Sequence, residues 1–273
     1  MKKSIAAITN QATSRQMDWQ DVYLEKFYPQ KSWRRDGTRD FFQLLKEHCS
    51  GRILEIGAGP SNTTSDYLLT LGELHGIDVD TDVLQNSALL TAAVFENDFP
   101  FPDESFDSCV SNYVCEHIEQ PEEHLGEVWR VLKPGGTYIF RTPNRFHYTS
   151  MVSSLTPHSF HLRTANKLRA IDGHDPYPTF YRLNSRGKLQ RLAEGAGFGV
   201  EYLRLIEKEP SYGMSSRLLF LVFMIYERLV NCSEIFAPFR SSLCVVLRKA
   251  GQDFLTGTQQ PIKRQQVAPK PLL

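Results

Sequence analysis

Glu55-Ile56-Gly57-Ala58-Gly59-Pro60 is the first segment whose residue types could do chemistry. A short apolar strand runs into a tight turn, where two glycines let a ligand come close to the backbone. Asp78 follows about 20 residues after Gly57, closing the next strand, where a carboxylate can accept both hydroxyls of a ribose diol. Together these residues describe a pocket for an adenosine-bearing ligand at the carboxyl ends of adjacent strands. NAD and S-adenosylmethionine are the two obvious ligands of that kind. A dinucleotide fingerprint would place a third glycine where this chain has Asn62, and Pro60 removes a backbone N–H that a pyrophosphate would use. A ligand without phosphate has less need of that donor, so S-adenosylmethionine fits better. Taken alone, the turn also reads as a strand-to-helix connection with glycines for packing only.

A second group of residues could move a proton. His117, His147, His158 and His161, with Tyr148 and Tyr181, are the candidate bases. Four of the eight histidines (147, 158, 161 and 174) fall in one stretch that also carries Phe146, Phe160, Tyr177 and Phe180. His158-Ser159-Phe160-His161 has the look of a metal pair, but two histidines without a settled third ligand do not make a site, and no metal is expected. For each single residue of this stretch, anchoring a surface loop to the core is an equal alternative.

These residues need elements to hold them. Trp19 to Phe27 and the stretch around Phe41–Leu45 have helical spacing. Residues 52–56, 74–78, 92–96, 106–111 and 137–141 read as five strands. Between them lie helices from Ser61 or Asn62 to about Leu71, from Asp82 to Leu90, and from Pro121 to Leu132. Such alternation implies a parallel sheet covered on both faces. A helix over Ser185–Ala196 and late strands at Val200–Leu205 and Leu243–Leu247 complete an α/β fold. Residues 145–183 follow the fifth strand at the edge where ligands bind in open sheets, and they are too long for an ordinary connection, so they read as an acceptor-binding insertion or lid.

Composition bounds the rest. The chain has 273 residues, 41% of them apolar, enough to rule out disorder over most of its length. Lys plus Arg and Asp plus Glu are both 31, and a neutral chain is a poor general nucleic-acid binder. Five scattered cysteines argue against a disulfide framework and fit a reducing cytoplasm. The apolar stretch Ser4–Ile8 is too short for a secretory leader, and the run Leu218–Tyr226 falls short of the about 20 residues that a membrane span needs. The expected layout is a mobile tail over 1–16, one domain over 17–249, and a disordered tail over 250–273 rich in proline and glutamine.

The motifs in order resemble one family, the class I S-adenosylmethionine-dependent methyltransferases, closest to their type 11 or UbiG-like small-molecule branch. The residues that carry the resemblance are Glu55 to Gly59, Gly76-Ile77-Asp78, Asn97 to Asp107, Glu116-His117-Ile118, Glu127 to Gly136, and Thr142-Pro143-Asn144. It covers residues 50–145 strongly and extends less clearly to 249. It implies a Rossmann-like, seven-stranded, mostly parallel sheet with helices on both faces, and S-adenosyl-L-methionine as cofactor. It also implies that Gly57, Ala58 and Gly59 approach the methionine part and that Glu55 orders the turn. Asp78 would bind the ribose with Val79 beside the adenine, Asp98 would meet the adenine amino group flanked by Phe99, and Asn112 would face the methyl end. The implied reaction is methyl transfer to an O, N or C nucleophile of a small, lipid-like or saccharide-type acceptor. An NAD-dependent oxidoreductase and a catalytically silent cofactor-binding protein are the rivals.

Displacement at a sulfonium has a very good leaving group, so the protein mainly aligns nucleophile, methyl and sulfur. A positioned base adds typically about 10²–10⁴ in rate. Cofactor residues should therefore be legible and the base poorly so. Ser215–Val230 is apolar around nearly its whole circumference if helical, between the last two strands. A helix of that kind is buried, covers a lipophilic acceptor or touches a membrane surface peripherally, or forms a dimer interface.

Overall fold

The computed structural model describes residues 18–96, 98–155 and 177–251. The elements run α1 (Trp19–Phe27), α2 (Gly37–His48), β1 (Gly51–Ile56), α3 (Thr63–Leu69), β2 (Gly72–Asp78), β3 (Thr91–Val94), β4 (Phe106–Asn112), α4 (Pro121–Val131), β5 (Leu132–Pro143), α5 (Tyr148–Leu155), α6 (Arg186–Gly195), β6 (Phe198–Ile206), α7 (Arg217–Val230) and β7 (Ser242–Lys249). The seven strands form one sheet in the order β3-β2-β1-β4-β5-β7-β6. The pairs among β1 to β5 are parallel, while β7 runs antiparallel to both β5 and β6. The expected α/β sheet is therefore present, with its order reversing between β1 and β4, where open sheets leave a crevice.

The sheet is buried on both faces, and strand alternation sorts its residues between two cores. Leu54, Cys109, Tyr138, Phe140 and Val245 pack with Leu125 and Val128 of α4 and Leu189 of α6. Ile53, Val110, Ile139 and Val246 pack with Phe41 and Leu45 of α2 and Leu68 of α3. Helix starts follow local chemistry. Asn62 Oδ1 accepts from the N–H groups of Thr64 and Ser65 at the head of α3, and Asp36 does the same for Thr38 and Arg39 at α2. Pro121 opens α4, whose Pro121, His124, Leu125, Val128 and Val131 form its buried side.

One predicted helix is reduced. Asp82 to Leu90 folds only as a 3-10 turn over Thr81–Gln85, because Asn86 leaves the helical path and its side chain reaches back to Ser65 Oγ at 3.0 Å. The stretch Lys133–Gly136 belongs to β5 instead of ending α4 as a separate turn. Among the described residues no helix is long and apolar enough to cross a membrane.

Candidate active site

The carboxyl ends of β1, β2 and β4 meet in register: Ile56 pairs with Ile77 and with Ser111. Gly57, Asp78 and Asn112 therefore leave three adjacent strands at one edge. The turn is tied to β2 by backbone bonds from Gly57 and Ala58 to Ile77 O, at 2.8 and 3.1 Å. Gly59 N–H then donates to Asp78 Oδ2 at 2.8 Å, and Asp80 N–H donates to Asp78 Oδ1 at 3.0 Å. Gly57 (φ +72°) and Gly59 (φ +52°) both hold backbone shapes that other residues rarely adopt. They differ in what surrounds them. A Cβ at Gly57 would strike Val114 Cγ2, so packing demands glycine there. A Cβ at Gly59 would meet nothing nearer than Asp78 Oδ2 at 4.0 Å, leaving the space beside that carboxylate open.

Glu55 lies beneath the turn, buried, accepting from Ser65 Oγ at 2.7 Å; burial pushes its carboxyl up to about 7. Through Ser65 it bonds to the first turn of α3, which Asn62 caps while donating to Ala58 O at 2.7 Å. Val79 is 55% exposed at the rim, and Asp98 is exposed on the loop after β3. Phe99 turns the other way. Its ring is 3% exposed in the core against Phe95, so it supports the Asp98 loop from beneath. Glu127 fixes that loop by accepting from Phe99 N–H at 2.8 Å. Asn112 donates to Thr64 Oγ1 and accepts from Arg141 Nε, both at 3.0 Å.

Next to this turn, past β4, lies a cavity of about 260 Å³. Tyr113, Arg141, His147, Tyr148, Glu207, Lys208, Phe223 and Tyr226 are among its walls. Tyr113 follows Asn112 directly with φ +59°, an uncommon shape for a bulky residue. Its N–H donates to Arg141 O at 2.8 Å, and its ring lies 4.6 Å from the Arg141 guanidinium. His147 is buried, with Nδ1 at 2.6 Å from Thr149 Oγ1 and Nε2 at 3.5 Å from Glu207 Oε2. Burial drives both toward their neutral forms, His147 down to about 4 and Glu207 up to about 8. Tyr148 stacks on Phe223, with ring centres 5.1 Å apart.

The predicted bases thus divide. His147 and Tyr148 share the cavity. His117 does not line it: its Nδ1 lies 3.0 Å from Pro178 O and its ring packs on Tyr177. Tyr177 donates to Asp80 Oδ2 at 3.0 Å, and the N–H groups of Phe180 and Tyr181 donate to Glu116 O. The chain from Tyr177 to Tyr181 thus lies across the ends of β2 and β4. His158 and His161, and most of the predicted insertion, lie outside the described residues, as do the tails over 1–16 and 252–273. Tyr113, Arg141, Glu207, Phe223 and Tyr226 were not singled out as site residues from sequence. The aromatic run of residues 218–226 was the one signal that pointed toward them.

Helix α7 is buried along one side and exposed along another. Phe220 is fully buried among the rings of Trp19, Tyr23, Phe27 and Tyr28, and Phe223 and Tyr226 face the cavity. Leu218, Val222, Ile225 and Leu229, spaced along one side, are exposed.

Comparison with known proteins places this arrangement. Residues 54–140 match the methyltransferase domain family. Over these residues the chain is similar to S-adenosylmethionine-dependent methyltransferases. A probable S-adenosylmethionine-dependent methyltransferase of Mycolicibacterium smegmatis is 28% identical over 59% of this chain and 57% of its own length. A demethylmenaquinone methyltransferase of Tropheryma whipplei is 28% identical over 44% of this chain and 53% of its own. The chain thus spans about half the length of these curated relatives. Among solved structures, an N-methyltransferase of Haemonchus contortus in complex with phosphomonomethylethanolamine and S-adenosylhomocysteine aligns with TM-score 0.50 and 16% identity, over 85% of this chain and 57% of its own. The cyclase SpnF aligns with TM-score 0.51 and 15% identity, over 81% of this chain and 85% of its own. The likeness to these two structures is one of fold, which by itself leaves the reaction open.

Proposed function

We propose that the protein transfers a methyl group from S-adenosylmethionine to a small or lipid-like acceptor seated in the cavity beside β4 and β5. The observation that carries this reading is the pair Asn112–Tyr113. Asn112 reaches Thr64 on the cofactor-turn side, and the next residue is a wall of the cavity. A methyl group held at the turn and a nucleophile held in the cavity would meet across these two residues. In this reading Asp78 takes the ribose diol, Gly59 leaves room beside it, Asp98 and Val79 border the adenine, and Glu55 stiffens the turn through Ser65.

S-adenosylmethionine supplies the methyl as a sulfonium when bound, and the chain's own residues bind and orient. Burial leaves His147 unprotonated at neutral pH, though less basic than a free imidazole, and Glu207 beside it is held in its uncharged form. His147 is thus the candidate base that touches the acceptor space, with Tyr148 as a stacking wall. The cavity's 260 Å³ falls just below the roughly 300–1,000 Å³ of typical ligand sites, which suits the head of an acceptor whose remainder extends outward. Quinone methyltransferases among the relatives fit an acceptor with an oxygenated ring head and an apolar tail. Calorimetric titration with S-adenosylhomocysteine and, separately, NADH tests the cofactor assignment. Saturable binding of the first and none of the second is expected; the reverse would overturn it.

A further inference from the structure

We infer that the cavity recognises an oxyanion on its acceptor (a carboxylate or a phosphate) through Arg141, a buried guanidinium that lines it. This rests on the cavity being the acceptor site. Arg141 stands on β5, paired in register with Asn112 on one side and Cys244 on the other, so its backbone cannot move the charge away. It is 5% exposed. Its polar contacts are neutral: Nε donates to Asn112 Oδ1 at 3.0 Å, and one terminal nitrogen lies 3.4 Å from Thr38 Oγ1. Its guanidinium carbon lies over two rings, Phe41 at 5.0 Å and Tyr113 at 4.6 Å. Among the described residues no carboxylate lies within ion-pair distance of it.

The acids nearby are otherwise engaged. Asp36 caps α2, and Glu209 Oε2 accepts from Asp36 N–H at 2.9 Å. Asp40 pairs with Lys208, the other cation of the cavity wall. Glu116 and Glu207 are buried, which favours their uncharged forms. Burying a charge without a counter-ion is unfavourable, and a guanidinium offers donors in a fork suited to a planar oxyanion. A second part of the wall, Tyr148, Phe223 and Tyr226, is aromatic. A ligand that suits both parts is amphipathic, with an anionic oxygen at Arg141 and a ring or chain against the aromatics.

The test uses three probes of one shape on the full chain saturated with S-adenosylhomocysteine: 2-naphthoate, 2-naphthyl phosphate and the neutral 2-naphthamide. At least one anionic probe should bind about tenfold or more tightly than the amide, and which of the two does so identifies the oxyanion. Arg141→Met, which keeps the stem beside the two rings, should bring all three to the affinity of the amide. Arg141→Lys should keep part of the preference. Equal binding of all three probes by the wild type, no binding of any at millimolar concentration, or a preference that survives in a folded Arg141→Met would each overturn the inference. Because the wild-type measurement alone is decisive, a variant that fails to fold does not shelter the idea. Failure of S-adenosylhomocysteine to bind would instead strike the cofactor reading, so the two failures are distinguishable.

Discussion

Asp78→Asn tests the cofactor assignment with the least disturbance to the turn. Each Asp78 carboxylate oxygen already accepts one backbone N–H, from Gly59 and from Asp80. A carboxylate has about four acceptor sites, so two remain for a ribose diol. Truncation to alanine would release both backbone bonds and confuse a loosened turn with a lost ligand contact. Asparagine keeps the shape and one carbonyl oxygen but replaces the second acceptor by a donor and removes the charge. Hydrogen bonds to charged groups are worth about 1.5–3 kcal/mol, so the dissociation constant for S-adenosylhomocysteine should rise by about ten- to a hundredfold. Calorimetry gives that constant directly, with thermal unfolding as a control on the turn. Affinity within about twofold of wild type in a folded Asp78→Asn protein would refute the assignment, since a bidentate ribose contact cannot be lost at so small a cost.

Three further outcomes follow from burial. Glu207 has its carboxyl raised from 4.5 to about 8, so the stability it contributes is complete at acid pH and is lost as pH rises toward 8. Against Glu207→Gln, which cannot ionise, wild type should lose about 2 kcal/mol of stability between about pH 6.5 and pH 8 in urea melts, and parallel curves would count against it. That window avoids His147, whose lowered value of about 4 makes stability fall instead as pH drops below its ordinary range. Phe220→Ala should cost about 3–5 kcal/mol, because it empties the ring cluster between α1 and α7; a loss under about 1 kcal/mol in denaturant melts would contradict that packing. Val222→Glu with Ile225→Glu should leave stability nearly unchanged, since both side chains are exposed. With Arg217 exposed at the start of this stripe, wild type should float with anionic vesicles and the double variant should not. Equal flotation of the two proteins would remove the lipid surface as the occupant of the stripe.

Local residue order carried the architecture and the glycine turn at its edge. Period-two and helical patterns, glycines at a strand end, and an acid one strand later are short-range signals, because each element's hydrogen bonds and buried face are encoded within it. Ser61 or Asn62 could be named as a cap, and Gly57, Gly59 and Asp78 as residues at neighbouring strand ends, for that reason. The register of Ile56 with Ile77 and Ser111 then brings those residues to one edge. Direction and depth were not legible. Phe99 stands one residue from Asp98 yet points into the core, and Gly57 is needed in part because Val114, far along the chain, fills the space beside it. His117 and His147 look alike as candidate bases, but only the return of β7 beside β5 builds a cavity around one of them. That cavity collects Asp36, Tyr113, Arg141, Glu207 and Tyr226 from five separate stretches of chain. No local pattern links such residues. The neutral His147 and Glu207 and the uncompensated Arg141 arise when tertiary packing removes water from around these three side chains.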